Sequence, residues 1–443
     1  MKRISAIQLN GAKQAKQEAR EVLAKTHYSI NGPMPSSISL SVLDRKVKHG
    51  YDLRFEEAFA GMNYVLAATN NHFREKFYDS LSIGKAQILG VSFLQLMATK
   101  ESLKYLTPEE VAGVSAVSFS DLIIRLPFAN EVFEGCGMGG DKGFGSEDIA
   151  KTINASTLSS LVLASLGIPV VKHGSYCNTS ALGSTEVIEL FGAKTNFVSV
   201  EAIEDLFAQT NFFYADAHWC KTIHDLSHLL MMETINHIVG PMTPPIAAET
   251  TIHRLMGVNE KVHPATIAQA YEILNQKGFQ KIGNAIIVCG LSREADGVDI
   301  KDHRVVKKYA ILDELSPYQS VVAVLQNGKY VDTFSLYPED FGISIKPEKI
   351  QVPSNQEQIH QANLKALKGE DPDLADYLAM NAALGLFVFR YLSQKDAITP
   401  YGWGSRYALN SSHLQACFKE CRQAIEKGEP YKLLQKYVKL SNQ

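Results

Sequence analysis

The segment GCGMGGDKGFGSEDIAKTINAST, from Gly135 to Thr157, constrains the fold of this chain most strongly. Its first half is crowded with glycines, and a glycine-rich turn lets backbone N–H groups converge on an anion without interference from Cβ atoms. The apolar run LSSLVLASLG that follows predicts a helix ending at Gly167. Because a helix N-terminus adds unpaired N–H groups and a positive dipole end, Asn154 and Ser156 are expected to cap this helix or bind a phosphate.

The same glycines match the dinucleotide-binding pattern G-x-G-x-x-G as Gly135, Gly137 and Gly140. That pattern requires a strand before it and a helix directly after it, whereas the helix predicted here begins only near Asn154. The context therefore favours a phosphate loop over a dinucleotide site. The plain alternative is a flexible loop followed by an ordinary helix cap.

Composition limits the class of protein. The chain has 443 residues with 45% hydrophobic and 21% charged residues and a formal net charge of -3. Its length favours roughly two or three domains, and its charge gives no general attraction to nucleic acid or to an anionic membrane. The N-terminus lacks a signal-peptide pattern, and no segment approaches the roughly 20 apolar residues of a membrane span. Six scattered cysteines indicate reduced thiols, so we expect a cytoplasmic protein.

Hydrophobic spacing predicts an α/β core and a mostly helical domain assembled from separated segments. IPVVKHG and NAIIVCG read as strands, and SVVAVLQNGKYVDTFSL reads as a hairpin that turns at Asn327-Gly328. LTPEEVAGV has the cap pattern of a helix start, with Thr107 and Glu110 three residues apart. The expected units are an N-terminal extension (1–38), a helical domain (39–120 with about 200–245) and an α/β domain (121–199 with about 246–443).

A second segment, VVKHGSYCNTSALGSTEVIELFG, carries more chemistry. A predicted strand delivers Lys172 and His173 to a loop of small and hydroxyl-bearing residues. Lysine is a compact positive charge suited to phosphate, and Ser180 and Ser184 carry hydroxyls that donate to oxyanions. The two segments together predict a phosphate site more specifically than either does alone.

Several motifs resemble one enzyme family: GMGGD, INAST, KHG followed by GSTEVIELFG, INHIVGPMTPP, DGVD and LYPEDFGI. They are similar to the class that contains anthranilate phosphoribosyltransferase and, more distantly, the pyrimidine nucleoside phosphorylases. They occur in the family's order from about residue 40 to 435, whereas the N-terminal extension has no counterpart. The resemblance implies a small discontinuous all-helical domain, a larger α/β domain with a central, mostly parallel sheet flanked by helices, and a homodimer formed through the helical domain.

The resemblance also implies phosphoribosyl pyrophosphate as a substrate. Its binding residues are then Gly137, Gly139, Gly140, Asp141, Asn154, Ser156, Thr157, Lys172, Gly174, Ser180 and Ser184. Lys172 and His173 are the catalytic candidates: Lys172 faces the phosphates, and His173 orients or deprotonates the amine of the acceptor. A short insertion, from about Lys142 to Ala150, lies inside this phosphate cradle.

The acceptor pocket implied by the resemblance departs from the family pattern. The position of the family's anthranilate-binding arginine is taken by Ser227, and the asparagine expected after KHG is Ser175. The complete set of pocket residues is His173, Ser175, His218, Ser227 and His228. Since a carboxylate at this position loses its cationic partner, we expect an aromatic or heterocyclic acceptor other than anthranilate.

Mg²⁺ is the cofactor that the resemblance implies, with Ser156 and Asp299 as ligands. The family has two consecutive acids at the DGVD motif, but the residue after Asp299 is Ile300, which offers no oxygen on its side chain. Asp296 or Glu294 is the expected substitute.

The expected reaction is displacement of pyrophosphate from the anomeric carbon by a nitrogen nucleophile. Two alternatives stay open: phosphorolysis of a nucleoside at the same loop, and a non-catalytic relative that binds nucleotide or nucleic acid. Ile300 favours the second alternative, although the acidic balance counts against nucleic acid.

Overall fold

The computed structural model describes residues 14–21, 38–121, 129–144, 150–177, 182–197, 199–230, 234–400 and 407–443. Helix α1 covers residues 14–21. The other helices are α2 (Leu40–Lys48), α3 (Phe55–Thr69), α4 (Asn71–Phe77), α5 (Ile83–Leu103), α6 (Pro108–Asp121), α7 (Ala155–Ser165), α8 (Ser184–Leu190), α9 (Val200–Thr210), α10 (Ala217–Cys220), α11 (Asp225–Leu230), α12 (Asn236–Met242), α13 (Pro264–Gln276), α14 (His303–Tyr309), α15 (Pro347–Ile350), α16 (Gln356–Lys368), α17 (Pro372–Arg390), α18 (Ser411–Glu426) and α19 (Glu429–Ser441).

The strands are β1 (Glu131–Gly137), β2 (Ala150–Lys151), β3 (Val170–Gly174), β4 (Phe212–Asp216), β5 (Thr251–Gly257), β6 (Lys281–Leu291), β7 (Ala310–Leu312), β8 (Ser320–Gln326), β9 (Lys329–Leu336), β10 (Val352–Pro353), β11 (Ile398–Pro400) and β12 (Tyr407–Leu409). The main sheet has the order β4-β3-β1-β5-β6-β8-β9, with β7 paired to β6. The first five strands in this order are parallel, whereas β8 and β9 form an antiparallel hairpin. The α/β fold with a mostly parallel sheet is therefore confirmed.

The parallel strands are buried, as their apolar sequences require. Helices α7 and α17 pack against β1 and β5, and α13 packs against β6, β8 and β9. The predicted hairpin is confirmed: Asn327 and Gly328 both have positive φ, at 51° and 79°, as a two-residue turn between strands demands. All six cysteines are free thiols. Among the described helices, none is both long enough and apolar enough to cross a bilayer.

The helical unit is built on α3, which packs against α5 and α6, with α11 and α12 joining it from later in the chain. Helix α6 begins with the predicted cap, in which Glu110 accepts from the backbone N–H of Thr107 at 2.9 Å.

One expected domain boundary is corrected. Strand β4 was expected inside the helical domain, but it pairs with β3 at the edge of the sheet, so the chain returns to the helical unit only after Asp216.

Candidate active site

A cavity of about 720 Å³ lies at the carboxyl ends of β1, β3, β4 and β5. This is the place where open α/β sheets bind ligands, because the loops that leave parallel strands meet there. The glycine-rich loop, the start of α7 and the loop after β3 line one part of it, and the segment that follows β4 lines another. The structure thus brings the two segments singled out in the sequence into one site.

The glycine loop is shaped by its contact with an acidic residue from far along the chain. Gly139 and Gly140 have φ values of 67° and 66°, which favour glycine. The N–H of Gly139 donates to Oδ2 of Asp313 at 2.7 Å, and its carbonyl accepts from the Asn259 amide at 2.8 Å. A Cβ atom on Gly137 would clash with Oδ2 of Asp313. The glycines therefore permit the close approach of this carboxylate.

The start of α7 presents two of its three predicted residues to the cavity. Asn154 and Ser156 line it. Thr157 does not: it is fully buried, and its hydroxyl donates to Oγ of Ser184, 3.2 Å away. The prediction that Thr157 holds phosphate directly is therefore corrected, whereas Ser184 does line the cavity. Ser180 lies outside the described residues.

Two lysines line the cavity together with the glycine loop. Lys172 is buried at the end of β3, and its ammonium donates to the carbonyl of His173 at 2.7 Å. Burial lowers its pKa below the usual value. Lys151, which the sequence did not single out, also lines the cavity and donates to the backbone carbonyl of Asp141. Its Nζ lies 3.8 Å from the Asp141 carboxylate.

The acid pair at the cavity is Asp313 and Glu314, which directly follow β7. Glu314 accepts from the hydroxyl of Thr152 and, at 2.9 Å, from that of Tyr377. Burial raises the pKa of both acids, and the charge of Asp313 raises that of Glu314 further. Two buried like charges side by side favour a cation between or beside them.

This finding corrects the predicted metal ligands. Asp296 and Asp299 are exposed and do not line the cavity. The side chain of Ile300 is likewise remote, and its carbonyl accepts from Nε2 of His263 at 2.8 Å. Two consecutive acids, Asp313 and Glu314, stand later in the chain, in the motif DELS before the β8–β9 hairpin. Ser156, the third predicted ligand, does line the cavity.

His173 sits between two hydrogen-bond acceptors. Its Nδ1 lies 2.7 Å from a Glu134 carboxylate oxygen, and its Nε2 lies 2.9 Å from the carbonyl of Gly240. Burial would raise the pKa of Glu134, but Arg254 and His173 hold it at about 2. Both ring nitrogens are therefore engaged within the protein, and His173 also lines the cavity. Its predicted role, to orient or deprotonate the amine of the acceptor, stays a prediction.

The opposite side of the cavity is rich in imidazole groups. His218, His224 and His237 line it together with Ser175, Ser227, Lys221 and Asn236. Burial lowers the pKa of Lys221 to about 8, and its ammonium donates to Gly240 at 3.1 Å and to Thr243 at 2.8 Å. His228 lies in α11, but its side chain is not among those described. In the described part of the chain, no three His, Cys, Asp or Glu side chains are grouped as a metal site.

Comparison with known proteins identifies relatives for this architecture. Residues 130–290 match the model of a glycosyl transferase family, a/b domain. Anthranilate phosphoribosyltransferase of Bordetella avium is 28% identical over 305 residues, covering 68% of this chain and 78% of the relative. The enzyme of Aquifex aeolicus is 25% identical over 354 residues, covering 78% of this chain and 87% of its own length.

Solved structures show the same fold. Anthranilate phosphoribosyltransferase of Thermus thermophilus superposes with a TM-score of 0.63 at 23% identity, covering 90% of this chain and 99% of that one. The enzyme of Saccharomyces cerevisiae in complex with phosphoribosyl pyrophosphate and Mg gives a TM-score of 0.64 at 18% identity, covering 92% and 99%. Residues 130–290 therefore match a glycosyl transferase a/b domain, and the chain as a whole is similar in sequence and in fold to anthranilate phosphoribosyltransferases.

Proposed function

We propose that this glycosyltransferase moves the phosphoribosyl group of phosphoribosyl pyrophosphate to a nitrogen of an aromatic or heterocyclic acceptor. The nitrogen forms a bond to the anomeric carbon, the bond from that carbon to pyrophosphate breaks, and the acceptor nitrogen loses a proton. The observation that carries the proposal is the single cavity that joins a glycine loop, two lysines and an acid pair to a side lined by imidazole groups.

The phosphate half of the cavity suits a pyrophosphate with a bound cation. Asp313 and Glu314 offer two buried carboxylates, and burial raises the pKa of each; the charge of Asp313 raises the pKa of Glu314 further. Mg²⁺ is commonly held by one or two carboxylates while phosphate oxygens and waters complete its shell. These two acids fit that role, with Ser156 close to the same phosphates. The cation would supply charge neutralisation of the leaving group.

The chain's own groups stabilise the charge that builds on the leaving pyrophosphate. The glycine loop and the first turn of α7 line the cavity, where the positive dipole end of the helix favours an anion. Lys151 and Lys172 add positive charge on the same side. Because the ribose carbon reacts directly with the incoming nitrogen, no covalent intermediate on the protein is needed. We expect His173 to keep β3 in place rather than to move a proton.

The acceptor side supports an acceptor without a carboxylate at the anthranilate position. Ser227 stands there, and its hydroxyl is 2.8 Å from Thr234 Oγ1 and accepts from the Asn236 amide. Lys221 is already engaged with two oxygen atoms. Neutral ring nitrogens and carbonyl groups pair with imidazole and amide groups, so a neutral nitrogen heterocycle or aromatic amine fits best.

Thermal stabilisation tests this proposal. Phosphoribosyl pyrophosphate with Mg²⁺ is expected to raise the melting temperature, because a ligand that binds only the folded state stabilises it. Inorganic phosphate with a nucleoside is the control for phosphorolysis. Stabilisation by the control alone would contradict the proposal. A melting temperature that neither ligand pair changes would contradict it as well.

The cytoplasmic location, the homodimer and the three-unit division of the chain stay predictions.

A further inference from the structure

We propose that helix α1 forms the outer support of the acceptor side, and that Lys16 and Arg20 are positioning residues for the acceptor. This inference rests on the proposed function for its substrate, but the contacts that carry it do not. We call residues Asp216–Asp225 the acceptor wall, because this segment carries the cavity-lining residues His218, Lys221 and His224. The N-terminal extension has no counterpart in the family's motif pattern.

Arg20 holds the acceptor wall at two points. One terminal nitrogen donates to the carbonyl of Lys221 at 2.7 Å, and the other donates to Oδ2 of Asp225 at 3.1 Å. The first nitrogen also lies 3.5 Å from the carbonyl of His218. Arg20 is 8% exposed and its bond to the Lys221 carbonyl is buried, whereas the side chain of Asp225 is 39% exposed. A guanidinium that bridges successive turns of backbone fixes their relative position, because its donors lie in one rigid plane.

Lys16, one helical turn earlier, ties the start of the wall to the loop after β3. Its ammonium lies 3.2 Å from Asp216 and 3.0 Å from Glu189. It also lies 4.3 Å from the ring centre of Tyr176, which lines the cavity. The Tyr176 hydroxyl donates to Glu189 at 2.9 Å. One buried ammonium thus joins the wall, α8 and the cavity-lining tyrosine.

Charge makes Lys16 hard to replace. Asp216 is fully buried, and burial alone would raise its pKa, but Lys16 and His218 hold the pKa well below its usual range. Without the ammonium, Asp216 at the end of β4 and Glu189 in α8 are two carboxylates that have lost the cation they share. Removal of one partner from a buried ion pair is costly because the other charge stays uncompensated. The wall and the Tyr176 loop are then expected to separate.

The inner side of the wall is anchored independently. Oδ2 of Asp121, at the end of α6, accepts from the backbone N–H groups of Thr222 and Ile223 at 2.6 Å each. The acceptor wall therefore lies between α6 on one side and α1 on the other. Loss of the α1 contacts is expected to displace the wall toward solvent, while the glycine loop and the start of α7, which these contacts do not involve, keep their geometry.

The test compares Lys16→Met and Arg20→Gln with the conservative Lys16→Arg and Arg20→Lys. Glu18→Gln on the exposed face of α1 is the matched control, since Glu18 only accepts from Gln14 within the same helix. The Michaelis constant for the acceptor with the fastest pyrophosphate release is expected to rise about 10-fold or more in the first two variants. The Michaelis constant for phosphoribosyl pyrophosphate is expected to stay within about twofold.

A second readout needs no turnover. Cys177 lines the cavity beside Tyr176 and donates to Glu186, whereas the other cysteines are buried. The rate at which 5,5'-dithiobis(2-nitrobenzoate) labels the wild-type protein reports the exposure of the Cys177 thiol. The Cys177→Ser variant is the blank. Lys16→Met is expected to speed the labelling of Cys177 about fivefold or more, because thiol reactivity follows exposure. Lys16→Arg is expected to restore slow labelling.

The outcomes separate the two proposals. If no acceptor is turned over, the labelling rates alone decide the role of α1. The inference would be overturned if Lys16→Met and Arg20→Gln had the same Cys177 labelling rate and the same Michaelis constant for the acceptor as the control Glu18→Gln. A parallel rise in both Michaelis constants would also overturn it, because that result indicates general destabilisation rather than positioning of the acceptor.

Discussion

The backbone N–H of Gly139 donates a hydrogen bond to Oδ2 of Asp313 at 2.7 Å. This bond joins the glycine-rich loop to the acid pair across 174 positions of sequence, and it explains why both belong to one site. The loop and the start of α7 line the part of the cavity that we propose for phosphate, and the acids supply negative charge for a cation. A ligand that carries both a phosphate and a bound cation satisfies the two parts at once.

Neutralising the acid pair is expected to impair use of phosphoribosyl pyrophosphate. Asp313→Asn and Glu314→Gln keep the shape of each side chain but remove the charge that attracts the cation. We expect kcat/KM to fall about 100-fold or more, equivalent to about 2.7 kcal/mol of transition-state stabilisation.

The matched control is Asp299→Asn, which changes an exposed acid outside the cavity. Its kcat/KM is expected to stay within about twofold of wild type. Pyrophosphate release at several Mg²⁺ concentrations provides the measurement. Equal losses at Asp299 and Asp313 would contradict the assignment of the acid pair.

Gly137→Ala is expected to disturb the same contact without any change of charge. The added methyl group would clash with Oδ2 of Asp313, so the carboxylate or the loop must move. Overpacking of this kind costs about 1–3 kcal/mol, which urea unfolding measures. Gly84→Ala is the control, because nothing lies within 4 Å of a Cβ there and the site is an exposed helical position. A Gly137→Ala protein as stable and as active as wild type would contradict the tight approach of Asp313.

His173→Gln tests whether the imidazole moves a proton. Both of its ring nitrogens are within 2.9 Å of acceptors, so we expect its role to be structural. We expect kcat/KM to fall while the apparent pKa values of its pH–rate profile stay the same, because no titrating catalytic group is lost. A pH–rate profile that loses one of its limbs in the variant would show instead that His173 is the base.

The pH dependence of stability reports on Lys221. Burial lowers its pKa from 10.5 to about 8, so between these values the unfolded lysine binds a proton that the folded lysine does not. The free energy of unfolding of the wild type, compared with that of Lys221→Met, is therefore expected to increase as the pH rises from about 8 to 10.5. The full change is at most about 3 kcal/mol. A difference that stays flat across this pH range would show that the ammonium is not desolvated.

Much of the fold was predictable because its signals are local. The β-branched runs, the Thr107–Glu110 cap and the Asn327-Gly328 turn each depend on neighbouring residues, and the structure confirms them. Strand β4 was assigned to the wrong unit because FFYAD follows a helix and precedes another. Only its pairing with β3, a long-range contact, places it in the sheet.

The site residues were predictable where a continuous sequence motif carries them. They were not predictable where further helices and strands separate the motif from the residues that reach the cavity. The motif DGVD resembled the metal motif, but α14 and β7 separate it from the acids that reach the cavity, Asp313 and Glu314. The signal that would have found them is DELS, two consecutive acids directly before a hairpin. Lys151 and the contacts of Arg20 had no such signal, because each depends on residues that only folding brings near.

Pyrophosphate release from phosphoribosyl pyrophosphate, measured with Mg²⁺ across a panel of aromatic amines, nucleobases and anthranilate, tests the central claim most directly. We predict release that depends on a neutral nitrogen acceptor, exceeds the rate with anthranilate and is lost in Asp313→Asn. Release with none of these acceptors, or release fastest with anthranilate, would contradict this account.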